Sequence, residues 1–294
     1  MGVEALNRAL LAAAGASVLV GAGIVASRFA VAQVPPLTLA MLRYSIGFAC
    51  LLPFAWRGFG SVWQGPRRDI AAMATLGILQ FGVLIALMNF GLRHVGAAQA
   101  ALIFSLFPLL TLVLSAALGR ERMTSTLLLG VTLSIAGVAL ALAPKLQGGP
   151  GGSWWGEAAV GVSALIGAMC SVLYRPYLLR YPTVPVSAFA MFASVVVLAV
   201  LALGEQWPAR VTGFSAPAWA AIVFVGISSG VGYFWWLYAL KHESPTRVTV
   251  FLALNPVTAA LLGWWLLGEP LHATALGALV LIAAGLWLAT RPTR

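Results

Sequence analysis

The stretch that decides the fold, residues 251–288, reads FLALNPVTAALLGWWLLGEPLHATALGALVLIAAGLWL. It consists of two apolar runs separated by a short polar break from Gly268 to Pro270. Each run is close to the ~20 residues that a helix needs to cross the ~30 Å hydrocarbon core of a bilayer. The stretch therefore predicts two membrane-spanning helices joined by a tight turn.

The same pattern occurs 148 residues earlier in the chain, and no gap is needed from Asn89 to Leu142 to match the two copies. The matched positions are Leu92 and Leu240, His94 and His242, Pro108 and Pro256, Glu121 and Glu269, and Gly137 and Gly285. Further upstream the distance becomes 150 residues, where Val34-Pro35 matches Val184-Pro185. The sequence therefore predicts a chain built twice from one unit.

The composition excludes a soluble fold. Of the 294 residues 61% are hydrophobic and only 8% are charged, with a mean hydropathy of +0.98, whereas soluble domains carry about 25% charged residues. The net charge of +10 does not indicate a nucleic-acid partner, because the basic residues lie in short gaps between apolar runs, where membrane topology explains them. Cys50 and Cys170 both lie inside apolar runs, so neither a disulfide framework nor a metal site is expected, and no cofactor is predicted.

The chain contains ten candidate spans. They are Ala9–Val31, Leu37–Trp56, Ile70–Phe90, Ala97–Leu118, Thr126–Ala143, Trp154–Leu178, Val186–Leu203, Pro217–Leu240, Thr246–Leu267 and Ala273–Thr290. The runs do not alternate in polarity as membrane strands do, so the predicted fold class is an all-α membrane protein. The turn-rich segment 144–153 divides a first five-helix repeat, residues 1–143, from a second, residues 154–294.

Lysine and arginine set the expected orientation, because cytoplasmic loops carry an excess of both. With a cytoplasmic N-terminus, most of them fall on the cytoplasmic side, and the outer side holds only Arg28, Arg93, Lys145 and Arg210. Both termini are therefore predicted to be cytoplasmic. Five spans per half is an odd number, so the second half enters the membrane the other way up. Inverted repeats of this kind are a recurring plan of secondary transporters, which alternate access by rocking one unit against the other.

The repeated motif resembles the EamA-type unit of the drug/metabolite transporter superfamily. The second copy consists of Asn255-Pro256, Leu267-Gly268-Glu269-Pro270, Gly277 and Gly285. The first copy consists of Pro108, Gly119-Arg120-Glu121, Gly130 and Gly137. It departs from the pattern at Phe107, which replaces the asparagine, and at Arg120, which separates glycine from glutamate.

Within that superfamily, the length and general character of the chain are similar to bacterial exporters of aromatic amino acids of the YddG type. The resemblance implies a bundle around a central cavity lined largely by the third, fourth, eighth and ninth spans. It also implies outward transport of small metabolites, including aromatic amino acids and cationic drugs. The motifs do not fix a substrate, so a cationic drug, a nucleobase or a sugar remains an open alternative. The expected protein is a monomer in the lipid bilayer of a bacterial inner membrane.

Neither an enzyme nor a channel fits the distribution of reactive residues. An intramembrane enzyme would need paired acids, a serine–histidine set or metal-spaced histidines within the spans. The acids and histidines lie at span ends or in loops, with Glu157 nearest to an interior, and no ring of charges that would line a pore is evident. Proton- and sodium-coupled carriers usually keep a carboxylate inside the membrane. The distribution therefore favours a facilitator, or coupling by something other than a buried acid.

Five polar residues are candidates for contact with the substrate. Arg43 is the one charged residue well inside a span, where it can bind a substrate carboxylate bidentately; snorkelling, or pairing with backbone carbonyls, is the alternative. The uncharged candidates are Gln80, Asn89, Gln99 and Asn255. They can bind an amino or carboxylate group of the substrate, or they can form interhelical hydrogen bonds.

Aromatic residues and prolines provide further candidates. Tyr233 and Trp236 lie three residues apart on one helical face, which suits either a stacking pocket or an interfacial belt. Their span also carries Gly226-Ile-Ser-Ser-Gly230, a small-xxx-small spacing that allows close helix approach. Pro108 and Pro256 are expected to kink their helices, as hinges or as fixed packing features.

Glu121 and Glu269 are expected to act as paired turn elements rather than as ligands. A carboxylate near a helix N-terminus caps free N–H groups and complements the helix dipole.

Overall fold

The structure, a computed structural model, describes residues 3–58, 60, 62, 64–119, 125–147, 153–242, 251–270 and 273–289, and all regular elements in these residues are helical. The α-helices are α1 (Val3–Ala30), α2 (Pro36–Ala55), α3 (Arg67–Gly77), α4 (Leu84–Gly91), α5 (Ala97–Phe104), α6 (Phe107–Ala117), α7 (Ser125–Gln147), α8 (Trp155–Arg180), α9 (Thr183–Leu201), α10 (Trp207–Arg210), α11 (Ala216–His242), α12 (Leu254–Leu267) and α13 (Ala273–Ala289). A π-helical turn, Ile78–Val83, joins α3 to α4. Tighter 3-10 turns are Trp56–Gly58, Ala202–Glu205, Val211–Gly213 and Phe251–Ala253.

Seven helical segments of the described residues are long and apolar enough to cross a membrane. They are Arg8–Ala30, Pro36–Ala55, Arg67–Gly91, Ala97–Ala117, Trp155–Tyr174, Thr183–Glu205 and Ala216–Trp236. Three shorter apolar helices are Leu128–Ala143, Leu254–Leu267 and Ala273–Gly285. The predicted all-helical, multi-pass character is confirmed. Each predicted span overlaps one of these ten segments, and residues 246–250 of the ninth lie outside the described part of the chain.

Helices of the two halves pack against each other throughout the bundle. Helix α1 packs against α11 and α12, and α8 packs against α4, α5 and α6. Helix α2 packs against α11, and α9 packs against α3 and the π-helical turn. Three further pairs, α2 with α9, α5 with α12 and α7 with α13, join helices that occupy corresponding places in the two halves. If the two halves are exchanged, the contacts of α1 and α2 become those of α8 and α9, so the set of helix pairs stays the same.

Both matched prolines lie in the first turn of a helix. Helix α5 ends at Phe104, and Pro108 is the second residue of α6. The 3-10 turn Phe251–Ala253 precedes α12, and Pro256 is the third residue of that helix. Proline has no N–H to continue the hydrogen-bond ladder, so the kinks predicted at Pro108 and Pro256 coincide with helix boundaries. Their use as hinges stays a prediction.

A glycine follows the end of both α6 and α12. Gly119 follows α6 with φ = +70°, and Gly268 follows α12 with φ = +66°. A left-handed residue after a helix favours glycine, which has no Cβ to clash. The two glycines are 149 residues apart, one more than the repeat distance of 148, because Arg120 separates Gly119 from Glu121 whereas Gly268 adjoins Glu269.

Glu205, which the sequence does not single out, caps the start of α2. Its carboxylate accepts hydrogen bonds from the backbone N–H of Leu37 (3.1 Å) and of Thr38 (2.7 Å), and from the Thr38 hydroxyl (2.7 Å). These bonds satisfy donors that the first turn of a helix leaves free. The cap also ties the end of α9 to the start of α2.

Replacing Glu205 by alanine is expected to lower the free energy of unfolding by about 1–2 kcal/mol, the usual cost of losing a helix cap. Thermal unfolding of the purified protein in detergent measures the effect. Glu205→Gln keeps an acceptor oxygen and should lose less. An alanine variant that melts at the wild-type temperature would show that water replaces the cap without cost.

Candidate functional site

Arg43 lies in the middle of the bundle and binds a partner on another helix. It is the eighth residue of α2, about 10 Å along the helix from its first residue at 1.5 Å per residue. Its Nε donates a hydrogen bond of 2.6 Å to Ser229 Oγ near the middle of α11. Ser229 in turn donates to Val225 O at 2.7 Å, which fixes the hydroxyl as the acceptor for Arg43. Among the described residues the guanidinium is therefore held through one of its three nitrogens.

The charge of Arg43 is not neutralised by an acid in the part of the chain that the structure describes. Two carboxylates that form ion pairs there, those of Glu269 and Asp69, pair with Arg28 and Arg180 instead. A guanidinium at membrane depth costs about 3 kcal/mol or more unless it meets water or a partner. Arg43 is half-buried, so its two terminal nitrogens are suited to an anionic group that enters from the solvent.

Three aromatic side chains form a continuous cluster beside Arg43. The ring of Tyr44 meets Phe81 edge-on with centroids 5.1 Å apart, and Phe81 meets Tyr233 edge-on at 5.6 Å. The Arg43 guanidinium carbon lies 5.5 Å from the centroid of the Tyr44 ring. We call Arg43, Tyr44, Phe81, Ser229 and Tyr233 the central cluster. It combines a cation with aromatic surfaces, which suits a ligand that has an anionic group and an apolar ring.

A close helix crossing builds this cluster. Added methyl groups at Gly226 and Gly230 of α11 would come within 2.6 Å of Ile46 Cβ and 2.8 Å of Cys50 Cβ on α2. The close approach predicted from the Gly226-to-Gly230 spacing is thus present, and α2 is the partner helix. Because Ser229 and Tyr233 lie within one turn of these glycines, the same crossing carries both of them to α2.

Gln80 and Phe81 belong to the π-helical turn Ile78–Val83. Such single π-turns are rare and occur frequently at functional sites. The turn places Phe81 against Tyr44 and Tyr233, and it places Gln80, which is half-buried, immediately beside the central cluster in the chain.

Two other predicted residues form hydrogen bonds between helices. Asn89 is fully buried and donates from Nδ2 to Pro36 O at 3.0 Å. Gln99 donates from Nε2 to Glu157 Oε1 at 3.1 Å, which joins α5 to the start of α8. This geometry favours the packing alternative for both, and neither is joined to the central cluster by a described contact.

Trp236 and Asn255 lie against different neighbours from those of Tyr233. Trp236 packs with Ala13, Ala239 and Phe251, so the structure does not bring it together with Tyr233 in one pocket. Asn255 is 6% exposed, and its Oδ1 has no hydrogen-bond partner. Its backbone carbonyl would meet a methyl group at Gly21 at 2.6 Å, which shows how closely α12 approaches α1.

Sequence reasoning missed three members of the central cluster: Tyr44, Phe81 and Ser229. Tyr44 follows Arg43 directly, and Ser229 lies inside the Gly226-to-Gly230 motif, so both were marked by their neighbours. Phe81 carries no such signal, because one phenylalanine in an apolar span is indistinguishable from packing.

Two apolar hollows of about 340 Å³ each are lined by residues outside the central cluster. One is lined by residues of α4, α9 and the π-helical turn, including Ile78, Phe90 and Leu198. The other lies beside Leu10 and Phe251. Neither is lined by a predicted substrate-binding residue. In the described residues no group of three or more histidine, cysteine or acidic side chains is placed to hold a metal.

Glu269 does cap a helix, although not one of its own hairpin. Its Oε2 accepts the backbone N–H of Ala97, the first residue of α5, at 2.8 Å, and its Oε1 pairs with Arg28 Nε at 3.4 Å. We call the end of the bundle where α1 ends and α2, α5 and α8 begin the Glu269 end. The predicted capping role is therefore present for Glu269, and Glu121 lies outside the described residues.

At the opposite end, which we call the Asp69 end, Tyr181 donates to Asp69 Oδ2 at 2.9 Å and Arg180 lies 3.6 Å from the same oxygen. The hydrogen bond to Asp69 raises the pKa of Tyr181 above its ordinary value of 10.0. The phenol therefore stays protonated, and the contact joins α3 to the end of α8.

Comparison with known proteins gives a consistent family. The model of the EamA-like transporter family matches residues 7–143 and again residues 154–291. An uncharacterized transporter of Archaeoglobus fulgidus is 28% identical over 92% of this chain and 94% of its own length. A protein of Streptantibioticus cattleyicolor named as a probable terminal-alkyne amino-acid exporter is 31% identical over 78% of this chain and 76% of its own length. A crystal structure that is 24% identical has a TM-score of 0.68 and covers 96% of both chains, which shows a similar fold.

Proposed function

The chain belongs to the EamA-like transporter family, and we propose that it exports small organic metabolites, in particular aromatic and other apolar amino acids, by alternating access. That it is a multi-pass membrane transporter follows from the family and the apolar helices. The amino-acid substrate is supported by the name of the Streptantibioticus cattleyicolor relative and by the chemistry of the central cluster.

The observation that carries the substrate proposal is the guanidinium of Arg43. It is held by Ser229 from one side and has no carboxylate partner among the described residues. A planar guanidinium binds a carboxylate with two parallel hydrogen bonds. In this proposal Arg43 binds the carboxylate of the amino acid, and Tyr44, Phe81 and Tyr233 contact its apolar side chain. The positive charge also disfavours the alternative of a cationic drug.

For the architecture we propose ten spans arranged as two inverted five-helix repeats, residues 1–143 and 154–294, joined by residues 144–153. Three observations support it. The helix pairings are related by exchange of the halves, Pro108 and Pro256 each lie in the first turn of a helix, and the family model matches each half separately. Each half is then one of the units that rock during alternating access.

For the location we propose the cytoplasmic membrane of a bacterium, with both termini in the cytoplasm. The excess of lysine and arginine in the loops on that side supports this orientation. The Glu269 end then faces outward and the Asp69 end faces the cytoplasm. During export the substrate would therefore enter at the Asp69 end and leave at the Glu269 end, and the central cluster lies between the two ends.

The test is transport of labelled phenylalanine, tryptophan and glutamate into proteoliposomes, with and without an imposed pH gradient. We expect saturable uptake of the two aromatic amino acids and little uptake of glutamate, whose second carboxylate has no cation in the central cluster. Facilitated diffusion predicts rates indifferent to the gradient, and a proton flux that accompanies the substrate would contradict it. Absence of aromatic transport would overturn the substrate proposal and leave the family and fold in place.

A further inference from the structure

Glu269 joins four parts of the bundle at one point. Its carboxylate accepts the Ala97 N–H at 2.8 Å and pairs with Arg28 at 3.4 Å, while Arg28 Nη1 donates to Leu92 O at 2.7 Å. The Glu269 N–H donates to Gly263 O at 3.1 Å. The contacts connect the end of α1, the loop between α4 and α5, the start of α5 and the end of α12. We call these contacts the Glu269 clamp.

Glycines make room for the clamp. Methyl groups added at Gly96 and at Gly263 would each come within 3.1 Å of Glu269 Oε2. Any larger residue at these positions would push against the carboxylate, so the chain approaches Glu269 from two sides without a side chain in between. The carboxylate thus lies between backbone segments of both halves.

All the described glutamates of the second half bind the first half at this same end. Glu205 caps α2 through Leu37 and Thr38. Glu157, which is 6% exposed, accepts from Gln99. The Glu269 clamp contains an ion pair whose side chains are 34% and 20% exposed. Water reaches it, so its charges can be solvated again when it opens.

We propose that the Glu269 clamp is the outer gate of the transporter, holding the Glu269 end closed and separating when the central cluster opens to the outside. Alternating access requires the contacts between the halves at one end to break in each cycle. A partly exposed ion pair can break and re-form at low cost because both charges regain water. Apolar packing alone at this end would not provide a contact between charges that regain water when it breaks.

The proposal rests on alternating access and on the proposed orientation, but its test needs no substrate. The reporter is Ser27→Cys in a background with Cys50→Ala and Cys170→Ala. Ser27 precedes Arg28, is 1% exposed, and its hydroxyl has no hydrogen-bond partner, so a thiol replaces it without loss of a bond. A membrane-impermeant maleimide added to intact cells labels this thiol only when the outer end separates.

Glu269→Gln keeps an acceptor for Ala97 and removes the charge, and we expect it to raise the labelling rate about fivefold. Arg28→Gln removes the other charge of the same ion pair and should raise the labelling rate to a similar extent. The matched control is Asp69→Asn, which breaks a contact between the halves at the Asp69 end and should not raise labelling from outside.

The proposal is overturned if Glu269→Gln elutes as the parent does on size exclusion and labels at the parental rate. It is also overturned if Asp69→Asn raises labelling as much as Glu269→Gln. A failure to transport phenylalanine would leave these labelling results unaffected, so the gate proposal and the substrate proposal are tested independently.

Discussion

Replacing Arg43 by alanine is expected to lower the transport efficiency for phenylalanine about 100-fold, with folded yield close to that of the parent. Removing one partner of a desolvated charge pair costs about 3 kcal/mol, which corresponds to about 100-fold in affinity. Folding should suffer little, because the described residues give Arg43 one hydrogen bond, to Ser229, and no ion pair. Concentration-dependent uptake into proteoliposomes measures the loss.

Two controls distinguish an arginine that binds the substrate from one that supports the bundle. Arg43→Lys keeps the charge but loses the planar fork, so it should recover only part of the transport. Phenylalanine amide has no carboxylate, and its transport should be equally weak in the parent and in Arg43→Ala. If Arg43→Ala instead gives little folded protein, or reduces transport of the amide and the acid alike, the arginine supports the bundle and does not bind the carboxylate.

Much of the fold follows from the sequence because the bilayer imposes strong constraints on length and polarity. The apolar runs predict the helices, and the matched prolines mark the first turns of α6 and α12, since a missing N–H has a local effect on a helix. The spacing of Gly226 and Gly230 identified a close crossing. Each of these inferences depends on one segment and its own backbone.

The arrangement of the site depends on which helices are neighbours, and that is not a local property. Tyr233 and Trp236 lie about 60° apart around α11, since each residue turns a helix by about 100°. Helix α11 packs between α1 and α2, so this angle is enough to place Tyr233 against Phe81 and Trp236 against Ala13. Spacing on one helix therefore could not decide whether the two share a pocket.

Glu269 shows that the partner of an electrostatic contact also depends on which helices are neighbours. The sequence marks a carboxylate after a helix end and suggests that it caps a helix nearby. The helix that it caps begins at Ala97, 172 residues away in sequence. Only the packing of α12 beside α5 brings the two together. In the sequence Arg28 indicates only membrane topology, and its role in the clamp follows from the same packing.

The crossing of α2 and α11 gives the second large effect. Gly230→Ala is expected to lower the free energy of unfolding by about 2 kcal/mol, the usual cost of overpacking. The new methyl group would lie 2.8 Å from Cys50 Cβ and 3.0 Å from Gly47 O, so α11 must move away from α2. Displacement of Ser229 from Arg43 should also reduce transport about tenfold, because site geometry tolerates little misplacement.

Gly232→Ala is the matched control for Gly230→Ala, because it makes the same change two residues further along the same helix. A methyl group at Gly232 finds its nearest neighbours, Leu19 Cβ and Cδ1, at 3.6 Å, which is ordinary van der Waals contact. Both substitutions gain the same helix propensity, so a difference in melting temperature between them measures the crossing alone. Equal melting temperatures and equal transport rates for the two variants would contradict the prediction. They would show that the helices separate without cost and that the close approach of Gly230 to α2 does not hold Ser229 beside Arg43.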